Sequence, residues 1–176
     1  EVILTKGSRT EVNLQAIEWI KEVAAALSKG FVLTIDYGHP SSELYSGRGC
    51  SSTLICYYNH SINEDPYCNI GEQDITCHVN FSALCHWGHQ NGLDFCGFTS
   101  QSFFLRGLGF LDHLRELEKN NSIADKREKV LLMQELLIQM GSKLKVLIQR
   151  KGINQTKLSG LKFPMPMPGT WNSSYA

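Results

Sequence analysis

The chain has 176 residues, of which 42% are hydrophobic and 19% charged, and its 17 basic side chains are matched by 17 acidic ones. This composition suits one globular domain with a sizeable core, and the balanced charge excludes a global field that would draw it to nucleic acid or an anionic membrane. No apolar run nears the roughly 18 residues of a membrane-spanning helix.

Because the chain opens on Glu1-Val-Ile-Leu rather than on Met, it reads as a segment of a longer polypeptide, and a missing leader carries no weight. Thr10 is a good N-cap for a first helix, with Glu11 in its first turn. Val12, Ala16, Trp19, Ile20, Val23 and Leu27 recur on one helical stripe, and Ser28-Lys29-Gly30 ends it. The next stretch, Phe31-Val-Leu-Thr-Ile-Asp36-Tyr37-Gly38, is apolar at both alternating sets of positions. That predicts a strand buried on both faces, the usual state of a parallel strand. In open α/β sheets ligands bind at the carboxyl ends of strands, which puts Asp36 and Tyr37 at the rim of a pocket. The competing reading is a turn whose amides Asp36 satisfies.

From Pro40 to Glu72 the composition shifts to Ser, Gly, Asn, Asp, Pro and Tyr, and only residues 53–58 look strand- or short-helix-like. A connection this long inside a compact domain predicts a functional loop. Its aromatic and imidazole groups, Tyr45, Tyr57, Tyr58, His60 and Tyr67, favour a pocket wall over a linker. Asn80 can cap a helix running from about Phe81 to Asn91, ended by Gly92. A strand follows over 93–99, and Ser100-Gln-Ser102 enters a helix in which Gly107 and Gly109 predict close packing or a break. Ser122-Ile-Ala-Asp125 resembles a capping box, and Val130, Met133, Leu137 and Met140 form a core stripe on a helix ending at Gly141. Leu144–Arg150 reads as an edge or antiparallel strand, and the Pro-rich tail as an extended, surface-hugging segment, poorly ordered past Trp171.

The six cysteines, at 50, 56, 68, 77, 85 and 96, admit disulfides, a zinc site or ordinary reduced thiols. No Cys-x-x-Cys pair occurs, and Cys85-His86-Trp-Gly-His89 is the one tight ligand-like spacing. Reduced thiols with no metal is the reading that the spacing favours.

An ordered series of motifs resembles one family. It comprises Glu11-Val-Asn-Leu14, Ile35-Asp-Tyr-Gly38, Glu43-Leu-Tyr45, Thr53-Leu54, Tyr57-Tyr58, His60, Gly71-Glu-Gln-Asp-Ile-Thr76, His78-Val-Asn-Phe81, Phe98-Thr99, Gln101, Leu108-Gly109 and Met140-Gly141. Over roughly residues 10–152 the chain is similar to the MidA family of S-adenosylmethionine-dependent methyltransferases, whose mitochondrial members are complex I assembly factors. The resemblance implies an α/β, class I (Rossmann-like) methyltransferase sheet finishing in an antiparallel hairpin. On that basis 1–152 is the C-terminal half of the methyltransferase domain, 41–72 an inserted pocket loop and 153–176 a tail. The family's glycine-rich cofactor turn does not occur in this sequence, since Gly107-Leu-Gly109 lies within an apolar helix. The cofactor-binding residues are therefore unassigned, and the segment is expected to be inactive alone.

The relatives imply a protein substrate, with arginine as methyl acceptor, and no nucleic-acid or membrane partner; a homodimer is left open. The compartment implied is the bacterial cytoplasm, with the mitochondrial matrix as alternative. Methyl transfer from a sulfonium needs alignment and exclusion of water, and a guanidinium is best held by carboxylates. The expected catalytic residues are Asp36, Tyr37 and Asp74, with Glu72 behind them. Tyr57, Tyr58 and His60 would wall the acceptor site, and His78 and Gln101 would either hydrogen-bond substrate or hold loops in place. The alternative is a non-catalytic assembly module whose aromatic loop docks a partner protein.

Overall fold

The computed structural model describes residues 10–46, 54–119, 123–154 and 157–167, together with Leu4 and Lys6. Its first helix, α1 (Leu14–Ala26), is capped by Asn13 rather than Thr10, through the Asn13 side chain accepting from Ala16 N at 2.9 Å. Of the expected stripe Ile20 is buried, Ala16, Val23 and Leu27 are half-buried, and Val12 and Trp19 face outward, while Ala24, outside that stripe, is buried. The shorter helix turns a narrower face inward.

Strand β1 (Gly30–His39) anchors a four-stranded sheet of order β5-β1-β7-β6. β7 (Leu144–Lys151) runs antiparallel to β1 from Gly30↔Lys151 to Tyr37↔Leu144. β6 (Asp94–Ser100) runs antiparallel to β7, with a bulge between Phe95 and Gly97. The short β5 (Val79–Asn80) adds parallel to the end of β1, at Gly38↔Val79 and His39↔Asn80. The sheet is thus mixed. β7 is antiparallel, as one expected alternative held, but it is a central strand rather than an edge one, with Leu144 through Gln149 all buried.

Two expectations about β1 are overturned. It is antiparallel along most of its length, and only one face is covered. On that face Val32 joins Ile20, Ala24, Phe81, Leu84, Leu93, Phe98 and Leu147 in a core formed with α1 and α3 (Phe81–Gln90). On the other, Phe31, Leu33, Ile35 and Tyr37 are 37–49% exposed. Their β7 neighbours in register, Arg150, Ile148, Val146 and Leu144, include three buried apolar residues. The difference lies in what packs above: α4 (Gln101–Gly107) and α7 (Met140–Lys143) contact β6 and β7.

The region from 41 to 72 is not an unstructured loop. It holds α2 (Ser41–Leu44), β2 (Leu54–Tyr58) and β3 (Ser61–Asn63), and with β4 (Asp74–Cys77) it forms a separate sheet of order β3-β2-β4. The β2–β3 hairpin turns through Asn59 and His60 at φ 46° and 61°, the left-handed pair that a two-residue turn between twisted strands requires. Pattern reading misses such a turn because glycine, its usual marker, is absent.

Asn80 caps α3 by accepting from Ala83 N at 3.0 Å, and Ser100 caps α4 by accepting from Phe103 N, both as expected. After the break at Gly109 come α5 (Phe110–Lys119) and α6 (Ile123–Gln134), a π-turn (Glu135–Gln139) and then α7, which runs past Gly141 instead of stopping there. The stripe expected as core is not core: Val130 is exposed, and Met133, Leu137 and Met140 are half-buried outside the central cluster. The capping box at Ser122 and the tail past Trp171 lie outside the described residues. The described tail packs on β6, with Met165 N donating to Phe98 O at 2.7 Å and Thr99 Oγ1 to Phe163 O at 2.7 Å, and Met167 is buried.

Candidate functional site

The sharpest local constraint sits at Gly38. A Cβ built there would lie 2.1 Å from Val79 O, so only glycine lets β5 close on β1. The space beside Gly38 is filled by the chain's own backbone. It carries Cys77-His78-Val79-Asn80 to the carboxyl end of β1, beside Asp36.

There a cavity of about 280 Å³ opens between the start of α1, the end of β1, α2, β4–β5 and α3. Its polar lining includes Glu11, Asp36, Tyr45, His78 and Asn80, and Leu44, Ala16, Ile17 and Leu84 form its apolar wall. Asn80 is the hub. Its Oδ1 accepts from Ser41 Oγ at 2.9 Å as well as from Ala83 N, and its Nδ2 donates to Tyr45 OH at 3.2 Å. Ser41 N in turn donates to Ser82 Oγ at 3.0 Å. One amide side chain thus ties α2 and α3 to the strand end and fixes the tyrosine at the rim.

Burial raises the Glu11 carboxyl above the usual carboxylate range, partly offset by its own backbone amide. Burial likewise raises the Cys77 thiol, helped by the negative charges of Glu11 and Asp36. His78 is pushed the other way. Desolvation lowers its imidazole, with the positive fields of His39 and Lys145 adding to it. The His39 ring stands edge-on to His78 with centroids 5.4 Å apart, and its Nδ1 lies 3.0 Å from Glu43 Oε2. Lys145, opposite Asp36 in register, is buried and gives its ammonium to the carbonyls of Ser142 at 2.7 Å and Lys143 at 3.4 Å. Two carboxylates and an imidazole at one cavity suit a cationic group that can shed a proton.

Of the sequence-predicted residues, the fold brings together Asp36 and His78. One Asp36 oxygen also accepts from Tyr37 N at 2.7 Å, but within strand β1, which runs on to His39, so Asp36 does not satisfy turn amides. Tyr37 points out from the open face of β1. Tyr57 and Asp74 pair across β2 and β4, and His60 is at the hairpin tip. Tyr58 lies on the opposite face of β2, and Gln101 Nε2 donates to Leu136 O at 3.2 Å, holding α4 to the π-turn. None of these six lines the cavity. Glu11, Tyr45 and Asn80 were present in the motif series, but each reaches the cavity only through tertiary packing. Cys56, Cys68, Cys77, Cys85 and Cys96 are free thiols, and among the described residues no His/Cys/Asp/Glu group of three or more could hold a metal ion. Among the described residues, too, no helix is long and apolar enough to cross a membrane.

The cavity lies at the carboxyl end of β1, the place where open α/β sheets bind ligands. Residues 1–99 match the sequence profile of the Methyltransf_28 family, described as "Putative S-adenosyl-L-methionine-dependent methyltransferase", and the chain belongs to that family. Two crystal structures from Burkholderia thailandensis, both of COG1565 superfamily members, resemble it at 34% identity. One is a native structure of an uncharacterised protein (TM-score 0.77, covering 88% of this chain and 41% of that one). The other is bound to S-adenosyl-homocysteine (TM-score 0.78, covering 92% and 42%). The chain therefore spans about two fifths of their length. No curated protein matches it.

The family's cofactor is S-adenosylmethionine. The described residues do not by themselves form its cradle. No glycine-rich turn joins a strand to a helix among them, and the tight backbone at Gly38 is filled by Val79.

Proposed function

We propose that this chain supplies the acceptor-binding part of a protein methyltransferase, in which Asp36 and Glu11 hold the guanidinium of a substrate arginine. The meeting of these two carboxylates with His78, Tyr45 and Asn80 at one strand end carries this reading. A guanidinium offers a planar fork of donors that carboxylates accept in pairs, and the tyrosine and imidazole rings can pack on its face. The cofactor is gripped mainly by parts of the enzyme that this chain does not span. The open face of β1 supports that division. Its row of four large apolar residues is exposed, and its free edge over 30–37 has no partner strand among the described residues. Such an edge is ordinarily paired or covered. The complex I assembly role and the bacterial-cytoplasmic or matrix location belong to the same proposal and rest on the motif series.

The test is methylation of arginine-containing proteins by the full-length enzyme with labelled S-adenosylmethionine, followed by acid hydrolysis. Labelled methylarginine in the wild type and its loss in Glu11→Gln supports the reading. Label found only on other residues overturns the acceptor.

A further inference from the structure

Tyr57, Ile62 and Asp74 were left outside the cavity, and the small sheet sets them side by side. Tyr57 is the register partner of Ile62 on β3 and of Asp74 on β4, so the three form one row across all three strands on the same face. That face is open. Ile62 is 67% and Tyr57 41% exposed, Asp74 is exposed, and Asp74 makes no ion pair or hydrogen bond among the described residues. The surrounding sequence is one-signed. No lysine or arginine occurs between Arg48 and Arg106, while Glu64, Glu72 and Asp74 are exposed acids in a chain whose total charge is balanced.

We propose that this sheet face is a docking surface for an arginine- or lysine-bearing extended segment of the protein substrate, seated with a cationic side chain between the Tyr57 ring and the Asp74 carboxylate. The inference rests on the proposed function for the partner being the methyl acceptor; the surface itself rests on the row. Charge complementarity selects the occupant. The described residues of β2–β4 and their connections carry acids and apolar groups and no ammonium or guanidinium, which disfavours acidic segments, and an aromatic ring beside a carboxylate suits a cation through its face and its charge.

The test uses the full-length enzyme and fluorescein-labelled decapeptides of alternating Arg-Gly, Lys-Gly and Glu-Gly, followed by anisotropy at low and high salt. Expected is binding of the two basic peptides only, weakened by salt and weakened about tenfold in Tyr57→Ala and in Asp74→Asn. Asp74→Lys should shift preference toward the Glu-Gly peptide. Equal binding of all three peptides, or unchanged affinity in both variants, overturns the proposal. So does sedimentation showing that Ile62→Asp converts a dimer into monomers without affecting peptide binding, which assigns the face to a second copy. Peptide affinity lost in Asp36→Asn but kept in the Tyr57 and Asp74 variants overturns this surface and leaves the cavity standing. The converse pattern, with turnover kept in Asp36→Asn, leaves the surface and removes the cavity reading.

Discussion

Gly38 and Val79 are in backbone contact: a Cβ on the glycine would stand 2.1 Å from Val79 O and 2.9 Å from the ring of Phe81. This contact lets the His78-bearing strand lie parallel to the end of β1 and so builds one wall of the cavity. A methyl group cannot be accommodated by rotating a side chain, because the obstacle is backbone. Gly38→Ala is expected to cost about 3 kcal/mol or more, read as a lowered urea midpoint with cavity residues perturbed most. A midpoint within experimental error of wild type would show that the β1–β5 approach is not needed.

Asn80 serves as both cap and crosslink. Replacing it with alanine leaves Ala83 N uncapped and removes its bonds to Ser41 and Tyr45. The expected loss is about 2 kcal/mol, a cap plus partly buried hydrogen bonds. Asn80→Asp, which keeps the acceptor toward Ala83 N, should recover part of it. No recovery would mean that the cap contributes little.

Beneath α3, Gly88 makes room for the fully buried Gln149, whose Nε2 would lie 2.2 Å from an added Cβ and donates to Cys85 O at 3.5 Å. Gly88→Ala should destabilise by about 1–3 kcal/mol. Gln149→Ala in the same chain should relieve the steric part, so that the two changes are less than additive. Strict additivity in chemical denaturation would contradict the contact.

The imidazole of His78 is held below its ordinary value near 6.5 by burial, His39 and Lys145. The unfolded chain then takes up this proton first. In the window between the folded value and 6.5 stability falls as pH falls, and the loss is complete once both states are protonated. Histidine NMR titration should place His78 lower in the native protein than in urea. An equal or higher native value would sink this account.

Thiol chemistry offers a further check. Burial pushes the Cys85 thiol up to about 11, whereas Cys68 is exposed and is raised by its hydrogen bond to Asp65. At pH 8, alkylation followed by mass spectrometry should modify Cys68 readily through access, and Cys85 only on unfolding. Rapid native labelling of Cys85 would place it outside the core.

Legibility in the sequence followed locality. The caps at Asn80 and Ser100, helix α3 and strands β6 and β7 carry signals within a few residues of themselves, and they were predicted within a residue or two. The apolar run in β1 fixes a strand but not what lies above it, so the exposure of Leu33 and Ile35 depends on where α4 and α7 pack. The small sheet was hidden by strands of three to five residues and by an Asn59-His60 turn without glycine. Asp36 and His78 were foreseen at a strand end and in a motif. Glu11, Tyr45 and Asn80 join them across separations that no periodicity encodes.

The most direct test of the central claim pairs two readings on Asp36→Asn in the full-length enzyme: calorimetric titration with S-adenosylhomocysteine, and methyl transfer to an arginine-containing protein substrate. If Asp36 holds the acceptor, homocysteine-adduct affinity stays within about twofold of wild type while turnover falls at least about a hundredfold, the scale of a lost positioning contact. Undiminished turnover would remove Asp36 and its cavity from the acceptor site.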